Sequence, residues 1–158
     1  MAALIPNSSF TFMSPIGNWC CRFSDSYLIE ICPITSDIEI APSHSYHDPW
    51  YQLLLDFFNS KGKIVATFTL PKGTTFQQGV WNALCQIPAG TTQTYQQLAL
   101  TLDTHPRAVG QACRVNPYPP LIPCHRLVSK RGLGGYMGPS EACLTIKQAL
   151  LNFEKSPT

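Results

Sequence analysis

Within residues 119–132, PPLIPCHRLVSKRG, a thiol and an imidazole stand side by side as Cys124-His125. Pro123 precedes them, and the cations Arg126, Lys130 and Arg131 follow. That pairing suits a nucleophile with its base, part of a metal site, or a structural thiol. Pro123 disfavours a helix at Ile122 and has no N–H for a central ladder, so the segment reads as extended. Neighbours in an extended chain point to opposite sides. If His125 activates Cys124, a bridging water or a local turn has to carry the proton. A metal reading is poor, because two further ligands at usable spacing are missing. His44 and His47 read as a loop pair.

The elements that must hold this pair are helical. Thr75 and Gln78 fit a capping box opening a helix over 76–85, with Phe76, Val80, Trp81 and Leu84 on its buried face. Pro88 and Gly90 stop it. A second capping box, Thr94 with Gln97, opens a helix over 95–102. After the turn DTHP a third helix runs over 107–115 and ends at Asn116-Pro117. The last runs over 141–154, with Cys143, Ile146, Leu150 and Phe153 as an apolar stripe and Glu154 at its edge. A carboxylate in that place wants a partner.

Two short helices joined by a tight turn make a helix-turn-helix candidate. In RAVGQACRVN, Val109, Ala112 and Cys113 face inward, while Arg107, Gln111 and Arg114 follow at i, i+4 and i+7 on another face. Gly110 costs roughly 1 kcal/mol against alanine inside a helix, so close approach to another surface should compensate. The minor groove of DNA, about 6 Å wide, is one such surface; a tightly packed neighbouring helix is the other.

The first half reads as strands. Pro15-Ile16-Gly17 and Ser24-Asp25-Ser26 punctuate short apolar runs like hairpin turns, and residues 62–70, GKIVATFTL, read as a further strand. Between them, DPWYQLLLDFFNSKG reads as a helix capped by Asp48, with Gly62 beyond its end. Cys20 and Cys21 read as buried hairpin residues; Cys113 and Cys143 fall on helix faces that look internal and read as inert. The domain boundary falls near residues 71–74.

Composition narrows the class. The 158 residues are 44% hydrophobic and 13% charged, a globular balance with room for a real core. No apolar run approaches the roughly 20 residues of a membrane span. The opening MAALIPNSSFTFMSP has no basic region leading into an apolar segment, so no secretory signal is expected. Seven scattered cysteines without C-x-x-C spacing argue against a disulfide framework or zinc ribbon, and for a reducing compartment, cytosolic or nuclear. Residues 1–70 carry a net charge of −3 and residues 71–158 carry +5, which suits a polyanionic partner.

Taken in order, GTTFQQGVWNALCQIPAGTTQTYQQLA, RAVGQACRVNP, LIPCHRLV and LGGY resemble the methylated-DNA–protein-cysteine methyltransferases, which reverse O6-alkylguanine damage directly. The resemblance covers most of residues 73–158; SPIGNW is similar to the family's opening hairpin. It implies an α+β fold, with a small strand-rich ribonuclease H-like domain over 1–72 and a helical, winged-helix-like helix-turn-helix domain over 73–158. It implies in-line attack by the Cys124 sulfur on the alkyl carbon. His125 would act through a water, oriented by Glu154, with Asn116 completing the network and Tyr95 protonating the leaving purine. Arg107 would fill the space of the flipped nucleotide, with Gln96, Ala108, Arg114 and Lys130 as further DNA contacts. Leu127, Gly135, Tyr136 and Met137 would wall the substrate pocket. The implied partner is double-stranded DNA bearing O6-alkylguanine, bound through the minor groove by a monomer that needs no metal or cofactor. O4 of alkylated thymine stays open as a second target. A related group of non-catalytic damage sensors has another residue at the cysteine position, and Cys124 favours chemistry over that alternative. One departure stands out: YMGPSEACL spaces Tyr136 from Leu144 more widely than the family pattern, which implies a differently shaped lid.

Overall fold

In a computed structural model of the chain, residues 8–35, 48–64, 67–138 and 140–156 are described. The sequence-read loop pair His44 and His47 lies outside them. Three antiparallel strands open the fold: β1 (Ser8–Ser14), β2 (Gly17–Ser24) and β3 (Tyr27–Pro33), in the order β1-β2-β3. Both expected turns are present. Asp25 and Ser26 have φ of 48° and 70°, the left-handed pair that a two-residue hairpin needs.

Register aligns one face of the sheet. Phe10 opposes Cys21 and Phe12 opposes Trp19, all buried. Helix α1 (Pro49–Asn59), capped by the Asp48 side chain on Trp50 N–H, lays Leu54, Phe57 and Phe58 against that face. Phe58 stacks on Phe12 at 5.7 Å and meets Trp19 at 6.3 Å. Aromatic pairs of this kind contribute about 0.5–1.5 kcal/mol each beyond the area they bury.

The second half consists of α2 (Thr75–Cys85), α3 (Tyr95–Thr101), α4 (Pro106–Arg114) and α5 (Glu141–Lys155). Helix α4 packs against both α2 and α3. Trp81 of α2 is buried and donates its indole N–H to Ala112 O at 3.0 Å, tying α2 to α4. Two short strands, β4 (Gln93–Thr94) and β5 (Leu127–Val128), pair in parallel. They bind the entry of α3 to the segment just after the Cys-His pair, a link with no signal in the sequence.

Several expectations are corrected. The first capping box is formed by Thr74 and Gln77, one residue earlier than expected. The doublets Thr74-Thr75 and Gln77-Gln78 admit both frames, and Thr74 has the extended ψ of 159° that a cap requires. Phe76 then lies in the first turn beyond the core and is 42% exposed. The third helix begins at Pro106, the favoured first helical position for proline, rather than at Arg107. No strand forms among the described residues of 62–70. Of the apolar stripe on α5 only Leu150 is fully buried; the buried face is Lys147, Leu150, Leu151 and Glu154.

The capping frame is testable by urea denaturation. Thr74→Ala should cost about 1 kcal/mol, whereas Thr75→Ala should stay within about 0.5 kcal/mol of the parent. Equal losses, or the reverse order, would contradict the frame.

Candidate active site

Cys124 does not lie in an extended chain. Residues Cys124–Arg126 form one 3-10 turn, with Arg126 N–H donating to Pro123 O at 3.0 Å. Proline constrains the residue before it, here Ile122, and leaves the residues after it free to turn. The turn buries all three side chains: Cys124 is 3% exposed, His125 0% and Arg126 1%.

Asn116, just past α4, holds the thiol. Its Nδ2 donates to Cys124 Sγ at 3.2 Å and to Ile122 O at 2.8 Å, and its Oδ1 accepts from Tyr118 N–H. Asn116 is thus more than a helix stop. Tyr118 in turn donates to Leu28 O, and Pro117 O accepts from Ile31 N–H, so β3 buttresses this turn.

His125 Nε2 lies 2.7 Å from Glu154 Oε1. The same carboxylate receives Arg126 Nε at 3.1 and 3.2 Å, Arg126 NH2 at 2.8 Å, and Gly90 N–H at 3.0 Å. Arg126 also reaches Ile87 O and Gly62 O, each at 2.6 Å. Sequence reasoning counted Arg126 only as a nearby cation. Its place beside His125 is the one signal that pointed here. Gly62 has φ +84°, and a Cβ there would lie 2.5 Å from Glu154 Oε1, so the loop after α1 needs a glycine to pass the carboxylate.

The electrostatics assign the protons. Burial raises the Glu154 carboxyl, but the hydrogen bonds and charges of His125 and Arg126 outweigh it and bring the group down to about 2. His125 moves the opposite way from a simple ion pair. Burial, aided by the Arg126 and Lys147 charges, outweighs Glu154 and lowers the imidazole below its ordinary 6.5. The neutral ring therefore donates Nε2–H to a carboxylate whose charge Arg126 balances. Nδ1 is left with a lone pair, buried and without a hydrogen-bond partner among the described residues. Burial pushes the Cys124 thiol up, opposed by the Asn116 N–H and the Lys147 charge, so the resting sulfur is protonated.

In front of the thiol opens a cavity of about 640 Å³. Tyr95, Cys124, Gly135, Tyr136 and Met137 line it, and Pro106, Arg107, Gly110, Cys113 and Arg114 line it from α4. Arg107, Gln111 and Arg114 are exposed along α4. Tyr95 donates to Gly135 O at 3.1 Å, and burial, with the nearby thiols, raises its hydroxyl so that it stays protonated. Lys147, which sequence reasoning missed as part of an apolar stripe, is fully buried. Its ammonium donates to Leu127 O and, at 2.9 Å, to Gly135 O, and lies 5.7 Å from the Tyr95 ring. Burial lowers it to about 8. A lone buried lysine breaks hydropathy patterns and is visible in a sequence only as that break.

Some sequence-named residues lie elsewhere. Leu127 is fully buried and does not line the cavity; only its carbonyl takes part, through Lys147. Gln96, Ala108 and Lys130 do not line the cavity either; Gln96 and Lys130 are exposed and Ala108 half-buried. Cys113 was read as an inert internal thiol, but it lies in the cavity wall. Among the described residues no group of three or more His, Cys, Asp or Glu is arranged to hold a metal, and no helix is long and apolar enough to cross a membrane.

Residues 75–156 match the family described as 6-O-methylguanine DNA methyltransferase, DNA binding domain. A methylated-DNA–protein-cysteine methyltransferase of Methanosarcina mazei is 40% identical over 103 residues, 63% of this chain and 63% of that protein. The inducible enzyme of that name from Bacillus subtilis is 40% identical over 114 residues, 68% of this chain and 60% of that protein. The chain thus spans less than two thirds of the length of these curated relatives. Among solved structures, Mycobacterium tuberculosis OGT in complex with DNA superposes with a TM-score of 0.64 at 31% identity, over 93% of this chain and 92% of that one.

The Glu154 cluster predicts both a large loss and a pH trend. Arg126→Ala leaves a buried carboxylate without its balancing charge and should cost about 3–5 kcal/mol in urea denaturation. Glu154 ionises more readily folded than unfolded, so its contribution is complete above its ordinary 4.5 and is lost as pH falls through about 2. His125, held neutral, adds a loss in the same direction as pH falls below 6.5. Stability measured against pH should therefore climb from acid to neutral. A flat profile would contradict the assignment.

Proposed function

The chain belongs to the 6-O-methylguanine DNA methyltransferase family, and on that premise we propose that it transfers an alkyl group from guanine O6 in double-stranded DNA to the Cys124 sulfur. The observation that carries the reading is the division of the site. Cys124 lines the open cavity, while His125, Glu154 and Arg126 are sealed behind it.

The thiol proton passes to His125 Nδ1 through a water, because Nε2 is committed to Glu154. Glu154 fixes the ring's tautomer and stabilises the imidazolium as it forms. The sulfur attacks the alkyl carbon in line, an S–C bond forms and the C–O6 bond breaks. Tyr95, a protonated phenol at the cavity, gives its proton to the departing purine in place of its bond to Gly135 O. Tyr95 then takes a proton back from solvent and His125 releases its own to solvent, so the net proton movement is from Cys124 to guanine. The product thioether has no good leaving group, so each molecule reacts once.

A base inside a duplex is out of reach of a cavity, so the guanine must be extruded at a cost of a few kcal/mol. Arg107, exposed at the cavity's edge on α4, enters the minor groove and occupies the vacated space, with Arg114 on the same helix face toward the phosphates. Gln96, Ala108 and Lys130 contribute outer contacts. Gly135, Tyr136 and Met137 cover the flipped base, and the wider spacing after Tyr136 shapes that cover. Residues 1–72 form a ribonuclease H-like supporting domain and residues 73–158 a winged-helix-like one. The protein acts as a monomer without metal or cofactor in the cytosol or nucleus, a compartment that seven cysteines outside any disulfide favour.

Intact mass and peptide mapping after incubation with excess O6-methylguanine duplex test the reading. One methylene unit should be gained on the Cys124 peptide, stopping at one equivalent. His125→Ala should slow the single-turnover transfer by about 10²–10⁴-fold, the usual range for a lost general base. DNA binding without any mass gain would overturn the transfer reading in favour of a damage sensor.

A further inference from the structure

Cys113 has no part in the transfer, yet it shares the nucleophile's cavity. It sits in the last turn of α4, 8% exposed, with its neighbour Ala112 pinned by Trp81. Asn116 bonds to both residues: its backbone N–H donates to the Cys113 backbone carbonyl at 3.2 Å, and its Nδ2 donates to Cys124 Sγ at 3.2 Å. A charge on Cys124 is felt at Cys113 and raises that thiol further, after burial. Both are free thiols.

We propose that Cys113 is a resolving thiol that captures oxidised Cys124 as a disulfide across the cavity wall. Hydrogen peroxide is the oxidant. The Cys124 thiol gives its proton through a water to His125 and attacks one peroxide oxygen as the thiolate; the O–O bond breaks, Cys124 sulfenic acid and hydroxide form, and the His125 proton turns the hydroxide into water. The Cys113 sulfur then attacks the Cys124 sulfur and expels the hydroxyl, which leaves as water with the Cys113 proton. In sum, two thiols and one peroxide give one disulfide and two waters. Only reversible oxidation leaves the sulfur recoverable, since sulfinic acid is in general not reduced back. A protein that reacts once per molecule loses all its activity with that sulfur. That consequence rests on the transfer reading; the linkage itself does not.

The rival pair is Cys20 and Cys32, which oppose each other across β2 and β3. The full chain is titrated with hydrogen peroxide without DNA, and unreduced peptides are mapped by mass. The expected product has lost two hydrogens, joins the Cys113 and Cys124 peptides, and reverts with dithiothreitol, with alkyl transfer returning. Cys113→Ser and Cys113→Ala should instead gain two oxygens on Cys124, and dithiothreitol should not restore transfer relative to each variant's own untreated level. Sulfinic acid forming on Cys124 of the parent as fast as in the variants would overturn the proposal, as would a crosslink confined to Cys20–Cys32. Because the crosslink is read without DNA, a protein that forms it but takes up no alkyl group would sink the transfer reading alone.

Discussion

Four N–H donors converge on the buried Glu154 carboxylate: His125 Nε2, Arg126 Nε and NH2, and the Gly90 amide. An isolated carboxylate in that position would take up a proton, because removing its charge from water costs more than burial returns. Arg126 makes the charge tolerable, and the geometry of the rest follows from where that guanidinium must reach. Its remaining bonds go to Ile87 O beyond α2 and Gly62 O beyond α1. One side chain thereby fastens α5, the α2 exit and the α1 exit around the turn that carries Cys124.

The first half of the chain is tied into the site by this arrangement. The Phe57 ring meets His125 edge-on at 6.4 Å, and Gly62 supplies both an acceptor and the clearance Glu154 needs. On the other side, Leu28 and Ile31 of β3 hold the Asn116–Tyr118 turn that presents an N–H to the sulfur. A loop and a strand outside the matched family segment thus set the position of atoms inside it. A helical half deprived of them would keep its helices' apolar faces but lose the partners that hold Arg126 and Asn116.

What the sequence disclosed and what it hid divide along the range of the interactions. The Thr94–Gln97 box, the Asp48 cap and both hairpin turns are local, fixed by residues within four positions, and were legible. The helix face of Arg107, Gln111 and Arg114 was legible for the same reason. Glu154 could be singled out as a carboxylate in want of a partner, and His125 came to it only through the family resemblance; Arg126, 28 residues away, carried no such signal. Lys147 was hidden because a periodic reading of α5 assigns buried positions to apolar side chains, and its partners are backbone carbonyls that carry no residue signature. No strand forms among the described residues of 62–70, because β-branched residues report a preference for extended backbone and say nothing of a pairing partner.

The same cluster bears on how a buried, protonated thiol can serve as the proposed nucleophile. A thiol kept low by strong cations would be a thiolate at rest, and would react with any electrophile that entered the cavity. Cys124 instead meets one hydrogen bond from Asn116 and the charge of Lys147, against a larger effect of burial. In the proposed transfer its proton leaves by way of His125, whose readiness to accept it depends on Glu154 remaining ionised, which depends on Arg126. Deprotonation is thereby placed under the control of groups sealed from the cavity. In the proposed transfer, whose product is permanent, keeping the sulfur quiet until the right carbon is in line counts as much as the rate of attack. The fold meets that need by dividing one short turn, with the sulfur in the cavity wall and the imidazole sealed behind it.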